Sequence, residues 1–187
     1  NVFERGGYRN VVVKVVTSGQ VAAGYRLSGV SVFPPTVTVF ASDPALVDAL
    51  PGYIETKAID LNNKSEGFEE EIELNLPFGV QVIEDLSVLV KVEISAIQGN
   101  LPLSNVLVEA HGLSAQYSVS ILPEKVDVIL SGPLNALKGL NQNDLRVLLD
   151  LTGFTPGTYT LAPEASLNFT DVKIESISPT TFVITIR

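Results

Sequence analysis

The chain contains no cysteine among its 187 residues. That excludes a disulfide framework, a thiolate nucleophile and any metal site built on sulfur. Histidine is nearly as scarce. His111 is the only one, so a histidine-based metal site or a Ser-His-Asp triad would depend entirely on that residue. It precedes Gly112 in an expected turn, where a lone histidine reads as a solvated surface residue. No G-x-S-x-G nucleophile elbow, P-loop or dinucleotide glycine fingerprint occurs. No apolar run approaches the ~18 residues of a membrane span, and no signal peptide is visible. Basic residues are the minority, 12 against 21 acidic ones, for a net charge of −9. With no Lys/Arg cluster to offset it, such a surface repels phosphate backbones, and no nucleic acid is expected as a partner. The chain opens at Asn1 rather than Met, which reads as an excised or processed piece of a longer parent.

What is abundant is valine in alternation, and it recurs. VSVFPPTVTVFASDP from Val30 matches VSILPEKVDVILSGP from Val119, at an offset of 89. Asp60-Leu61 returns as Asp150-Leu151 at 90, and Val90–Ile94 as Phe182–Ile186 at 92. Gly19 and Tyr25 have counterparts in Gly112 and Tyr117. A growing offset means insertions at loops, where length varies cheaply. Two copies of one module are expected, at 9–98 and 99–187, each large enough to bury its own core.

The pattern predicts an all-β fold with one short helix per module. Val11–Val16 reads as a strand buried on both faces. Val30/Val32, Val37/Val39, Ile72/Leu74/Leu76, Val80/Val82 and Val88/Val90/Val92/Ile94 alternate as half-buried strands. Val106/Val108, Val119/Ile121, Val126/Val128, Leu145–Leu149, Tyr159/Leu161, Val172/Ile174 and Phe182/Ile184/Ile186 follow in the same order. Pro34-Pro35 forces an extended kink. Asp43 caps a helix running to Leu50, with Leu46, Ala49 and Leu50 laid on the sheet. Gly132-Pro133 opens a second, weaker one with Leu134 and Leu137 inward. The modules join at Ile97–Pro102, a short segment rich in turn residues that favours a semi-rigid rod.

Asp60, Asn62 and Glu71 fall at positions one, three and twelve of a calcium loop, but Lys64 stands where a ligand is needed and Ser65 replaces the turn glycine. The stretch therefore reads as a charged loop leading into a strand with an acidic outer face. Glu66, Glu69, Glu70, Glu71 and Glu73 offer carboxylates for glycoside hydrolysis, yet nothing in the sequence would raise one pKa. Asn63-Lys64-Ser65 and Asn168-Phe169-Thr170 match the glycosylation sequon by a pattern that chance supplies easily. Tyr8, Tyr25, Tyr53, Tyr117 and Tyr159 sit in apolar alternation and read as core or core-rim residues. No catalytic, cofactor-binding or metal residue is expected, and no enzyme.

Gly24-Tyr25 followed by Val30-Ser31-Val32-Phe33-Pro34-Pro35-Thr36-Val37-Thr38-Val39 resembles the YbbR-domain family. Gln116-Tyr117 followed by Val119–Pro133, with Ile59-Asp60-Leu61 and Leu149-Asp150-Leu151 later, carries the same resemblance. The first copy has Ala41-Ser42-Asp43 where Ser-Gly is usual, and the second lacks the glycine before Tyr117. The resemblance implies two tandem β modules similar to the C-terminal domain of the ribosomal L25/TL5-type protein. It also implies a parent with one membrane helix, facing the outside of a bacterial cell. Its partner would be the membrane diadenylate cyclase that makes cyclic di-AMP, which the parent regulates. A cell-wall glycan or peptide ligand, or a spacer role with no cyclase, is the alternative.

Overall fold

The structure, a computed structural model, describes residues 7–187. The chain forms two compact units, the first ending at Ala96 and the second being Ile97–Arg187. Each has its own cluster of buried valine, leucine and isoleucine.

The first unit runs β1 (Gly7–Lys14), β2 (Thr17–Ser18), β3 (Tyr25–Phe33), β4 (Thr36–Ala41), helix α1 (Pro44–Asp48), β5 (Tyr53–Thr56), β6 (Ile59–Asp60), β7 (Phe68–Asn75), β8 (Val80–Val82) and β9 (Ser87–Ala96). Seven strands form one sheet in the order β3-β9-β7-β5-β1-β4-β8. Its neighbours are antiparallel, except that β1 and β5 run parallel. Alternation places Val11 and Val13, Val37 and Val39, and Val88, Val90 and Val92 on the buried face. Helix α1 starts where Asp43 Oδ1 accepts from the Ala45 amide at 3.0 Å, with Pro44 at its first position. Arg9, on the inner face of β1, donates to the carbonyls of Val47 and Leu50 (3.2 and 2.8 Å), which satisfies groups the helix end leaves open.

The second unit repeats this plan. It runs β10 (Gln98–His111), β11 (Val119–Leu122), β12 (Lys125–Pro133), helix α2 (Leu134–Leu137), a 3-10 turn (Gln142–Asp144), β13 (Leu145–Asp150), β14 (Gly157–Leu161), β15 (Glu164–Leu167), β16 (Lys173–Ser178) and β17 (Phe182–Ile186). Its sheets are ordered β11-β17-β14 and β15-β13-β10-β12-β16. Read through β14 and β15 as one path, this is the order of the first unit, with the parallel pair preserved in β10 and β13. Strand β7 bridges β9 and β5 without a break. Its counterpart is interrupted at Ala162-Pro163, and a proline has no N–H for a ladder. The peptides Phe33-Pro34 and Leu122-Pro123 are both cis, at equivalent turns.

The all-β fold with one short helix per unit is as the pattern predicts, but five details differ. Strand β1 is not buried on both faces: Val12 is 54% exposed between buried Val11 and Val13. Helix α1 buries only Val47, with Leu50 buried just beyond its end and Leu46 and Ala49 left outside, because so short a helix sets only one turn against the sheet. In the second unit Gly132-Pro133 ends strand β12, and Pro133 takes the N-cap position with no side-chain cap. Residues 98–102 are not a turn-rich join but the start of β10, each paired with β12. At Gly99 a Cβ would lie 2.5 Å from Leu134 Cδ2, so a larger residue would make that leucine side chain move. Finally, cross-strand partners place Val90 on Ile184 rather than Phe182, because Val32 opposite Val90 corresponds to Ile121 opposite Ile184. The true register is two residues away from the one the valine pattern picks. A slip of two keeps every side chain on the same face, so hydrophobicity alone could not detect it.

Candidate interaction surfaces

The residues closest to chemistry lie at a corner present in both units. In the first, Asp60 Oδ1 accepts from the Asn62 amide at 2.9 Å, and Gly19 packs against the Asn62 side chain. In the second, Asp150 Oδ1 accepts from the Thr152 amide at 2.9 Å and its hydroxyl at 2.6 Å, with Gly112 alongside. His111 ends strand β10 rather than lying in a turn, and its side chain is exposed. Its Nδ1 is 3.6 Å from Asp150 Oδ1, too far for a hydrogen bond.

Asp150 is held below the usual carboxylate range, first by the Thr152 hydroxyl, then by the Thr152 N–H, with His111 contributing least. A carboxyl whose folded pKa is depressed contributes stability above its unfolded value and loses it as pH falls through the folded one. Thr152→Val is therefore expected to move the Asp150 titration upward in carboxyl-carbon NMR and to shrink its share of the acid-side loss. An unchanged titration midpoint would show that the hydroxyl is not the cause. Glu84 is lowered in the same direction, chiefly by the Thr38 N–H that donates to its Oε2 at 3.0 Å.

The acidic stretch is spread out rather than gathered. Asp60 is engaged in its own turn, while Glu71 stands on β7 opposite Leu89. Glu69, Glu71 and Glu73 share the outer face of β7, and Glu70 lies on the other face with Phe68 and Ile72. Glu73 pairs with Lys57, and Glu93 with Lys91 at 3.3 Å. Among the described residues no three His, Cys, Asp or Glu side chains gather as metal ligands. Asn63 sits in a turn at φ 57°, and Asn168 follows β15.

Two sheet faces distinguish the units. On the outer face of β5-β1-β4-β8, Tyr8 pairs across with Phe40 and Phe40 with Gln81, their rings 4.8 Å apart. Val12 pairs with Thr36 and Tyr53, and the Lys14 ammonium lies 4.8 Å from the Tyr53 ring. Tyr8 is 67% exposed, so it is a surface residue and not a core one. Its position two residues before Asn10 and four before Val12 puts it opposite Val11 and Val13, a signal that strict alternation along β1 supplies. The same rows in the second unit read Pro102–Ile129–Ser176 and Lys125–Leu107. On the other half of the sheet, the outer rows Ser31–Lys91–Glu69 and Phe33–Leu89–Glu71 of the first unit are charged and apolar. Their counterparts, Ser120–Thr185–Thr158 and Leu122–Val183–Thr160, carry no charge. One backbone plan thus presents two chemically different surfaces.

No helix among the described residues is long and apolar enough to cross a membrane. The class these features define is an all-β chain of two sheet units sharing one strand order. Residues 11–95 match the family model described as YbbR-like protein. That match spans most of the first unit, which is therefore similar to the YbbR family. It is 24% identical over 161 residues to the CdaA regulatory protein CdaR of Bacillus subtilis (strain 168), a match covering 84% of this chain and 33% of that protein. The chain thus spans about a third of the length of that curated relative. Among solved structures, it is similar to the YbbR-like domain of a Listeria monocytogenes protein, at 24% identity and a TM-score of 0.43, covering 48% of this chain and 93% of that one. A YbbR-like protein from Streptococcus pneumoniae TIGR4 aligns over 100% of this chain and 96% of its own, at 13% identity and a TM-score of 0.32.

Proposed function

We propose that this chain is a non-enzymatic regulatory module of a membrane-anchored bacterial protein, working outside the membrane on a membrane diadenylate cyclase. The observation that carries this reading is the match of residues 11–95 to the YbbR family, together with a relative named as a CdaA regulatory protein. One structural feature supports it: the first unit presents the exposed ring of Tyr8 beside half-buried Phe40, an aromatic pair of the kind that anchors protein contacts. The second unit, sharing the strand order of the first, is a second YbbR-like repeat on this reading. Regulation through such a module requires that the partner contact it differently in two states.

The test is cyclic di-AMP output from the cyclase co-expressed with the full parent, against a parent lacking both units at equal abundance and membrane insertion. A changed output is the expected result. An unchanged output would overturn the regulatory reading and leave a spacer or a wall-binding role.

A further inference from the structure

We infer that a groove in the second unit, between a bulge in β10 and the turn Gln142–Asp144, binds the carboxylate end of an extended peptide. Two insertions that the first unit lacks meet there. In β10 the partners step from Leu103↔Val128 to Val106↔Val126, so Ser104 and Asn105 together oppose Asp127. The corresponding stretch of β1, from Arg9↔Val39 to Val11↔Val37, pairs one for one. Asn105 is held at φ 59°, a left-handed conformation uncommon outside glycine, and its amide donates to Asp127 Oδ1 at 3.0 Å. The second insertion is the 3-10 turn of three residues. Leu50 and Leu140 close their helices in the same way, each amide donating to the residue three before it. From there, however, the second unit takes three residues more to reach the sheet, Ile54 pairing where Val147 does. Asn141 and Asp144 cap that turn reciprocally, which gives it a defined shape of its own. Gln142 Nε2 then donates to the Ser104 carbonyl at 2.6 Å, which ties one insertion to the other.

Between them lies a groove of about 490 Å³, with Asn105, Gln142 and Asn143 on its rim. Its floor is a row across three strands. Leu107 pairs with Lys125 on one side, and Arg146, the residue before Val147 in the Val108↔Val147 pair, flanks it on the other. Leu107 is 61% exposed. The equivalent row of the first unit, Thr36–Val12–Tyr53, has an apolar centre and no charge. The fold therefore does not need cations at these positions.

Strands lie about 4.8 Å apart, so the Cα atoms of Lys125 and Arg146 stand roughly 10 Å from each other across the leucine. Glu109 holds one edge of the Arg146 guanidinium at 2.6 Å, while Lys125 has no ion pair among the described residues. In a chain of net charge −9, an unpaired lysine beside an exposed leucine fits a ligand that is anionic at one end and apolar next to it. A peptide terminus meets both demands. Its carboxylate goes to Lys125, its last side chain to Leu107, and its backbone amides to the carboxamides of Asn143 and Gln142, which both donate and accept. This assignment is independent of the cyclase reading.

The experiment is a titration of the 15N-labelled full chain with acetyl-glycyl-leucine, with the same peptide capped as its C-terminal amide, and with inorganic phosphate. The free acid is expected to shift the amides of Leu107, Lys125, Asn143 and Arg146, with the capped peptide at least about tenfold weaker. Lys125→Gln is expected to weaken the acid about tenfold, while Lys173→Gln, on β16, leaves it unchanged. The double variant Lys125→Thr/Arg146→Tyr installs the first unit's residues on the same strands, keeps a folded spectrum and abolishes binding. Absence of shifts with the acid, equal shifts with the capped peptide or with phosphate, or full binding by the double variant would each overturn the assignment.

Discussion

Phe182→Ala is expected to lower the stability of the second unit by about 3–5 kcal/mol, the usual range for deleting a buried aromatic ring. Phe182 begins β17, the central strand of β11-β17-β14, and its side chain has no solvent exposure. It is the largest of the fully buried side chains. Its ring joins a cluster that includes Val128, Leu130, Leu151 and Ile184. Removing it leaves a cavity that β-branched Ile184, the next residue on the same face of β17, is too stiff to fill. Folded domains hold a margin of roughly 5–15 kcal/mol, so the loss consumes a large part of what a unit of this size has. Urea denaturation followed by hydrogen exchange of the β10–β17 amides measures it. Phe78→Ala is the matched control, since Phe78 is 99% exposed and its loss should stay within about 0.5 kcal/mol. A loss below about 1 kcal/mol for Phe182→Ala would remove that residue from the core.

Gly112→Ala is expected to destabilise the same unit by about 1–3 kcal/mol through a different cause, the backbone. Gly112 has φ 79°, where an L side chain is strained whatever the space around it. A Cβ would also lie 2.2 Å from Thr152 Oγ1 and 3.0 Å from the Thr152 amide. The first contact involves a side chain, but that hydroxyl is fixed by its hydrogen bond to Asp150. The double variant Gly112→Ala/Thr152→Ala removes the hydroxyl clash: any loss beyond that of Thr152→Ala alone comes from strain at φ 79° together with the close approach to the residue-152 amide and Asp150 Oδ1. Gly19→Ala should behave alike, with φ 79° and the Asn62 carboxamide 2.4 Å from the added carbon. Gly139→Ala supplies the contrast, because a Cβ there meets nothing within 4 Å and its φ is not in the left-handed region. It should change stability by no more than about 1 kcal/mol, in the favourable direction. Equal losses at Gly112 and Gly139 would show that the corner geometry is wrong.

The glycine and aspartate of this corner were readable as a repeated pair, because a left-handed turn and the carboxylate that braces it both restrict residue type. The contact they frame was not readable, since Gly19 and the Asn62 that follows Asp60 are far apart in the chain and meet only when β2 pairs with β6. Tyr8, by contrast, was legible locally, in its alternation with Val11 and Val13 along β1. Aromatic residues in an apolar run default to the core, and only its placement opposite Val11 and Val13 turned it outward. The same limit on distant contacts explains the groove. The three residues gained at the turn are lost again before Asp150, so the offset there rises only from 89 to 90, and the bulge at Asn105 shows only in the strand pairing.

Valine alternation, the Asp43-Pro44 start signal and the recurrence of the V-x-V/I-x-P motif determined by themselves that the chain is all-β, with one short helix in each repeat. These are period-2 and capping signals, written in residues close along the chain. Tertiary structure alone decided which register β17 takes, which face of α1 is buried, that 98–102 is strand, and that Lys125 and Arg146 flank one exposed leucine. Those outcomes depend on pairings between residues distant in sequence. A strand slipped by two residues, or a helix turned by one position, satisfies the same hydrophobic pattern equally well. The choice falls to packing and hydrogen bonding across the whole sheet.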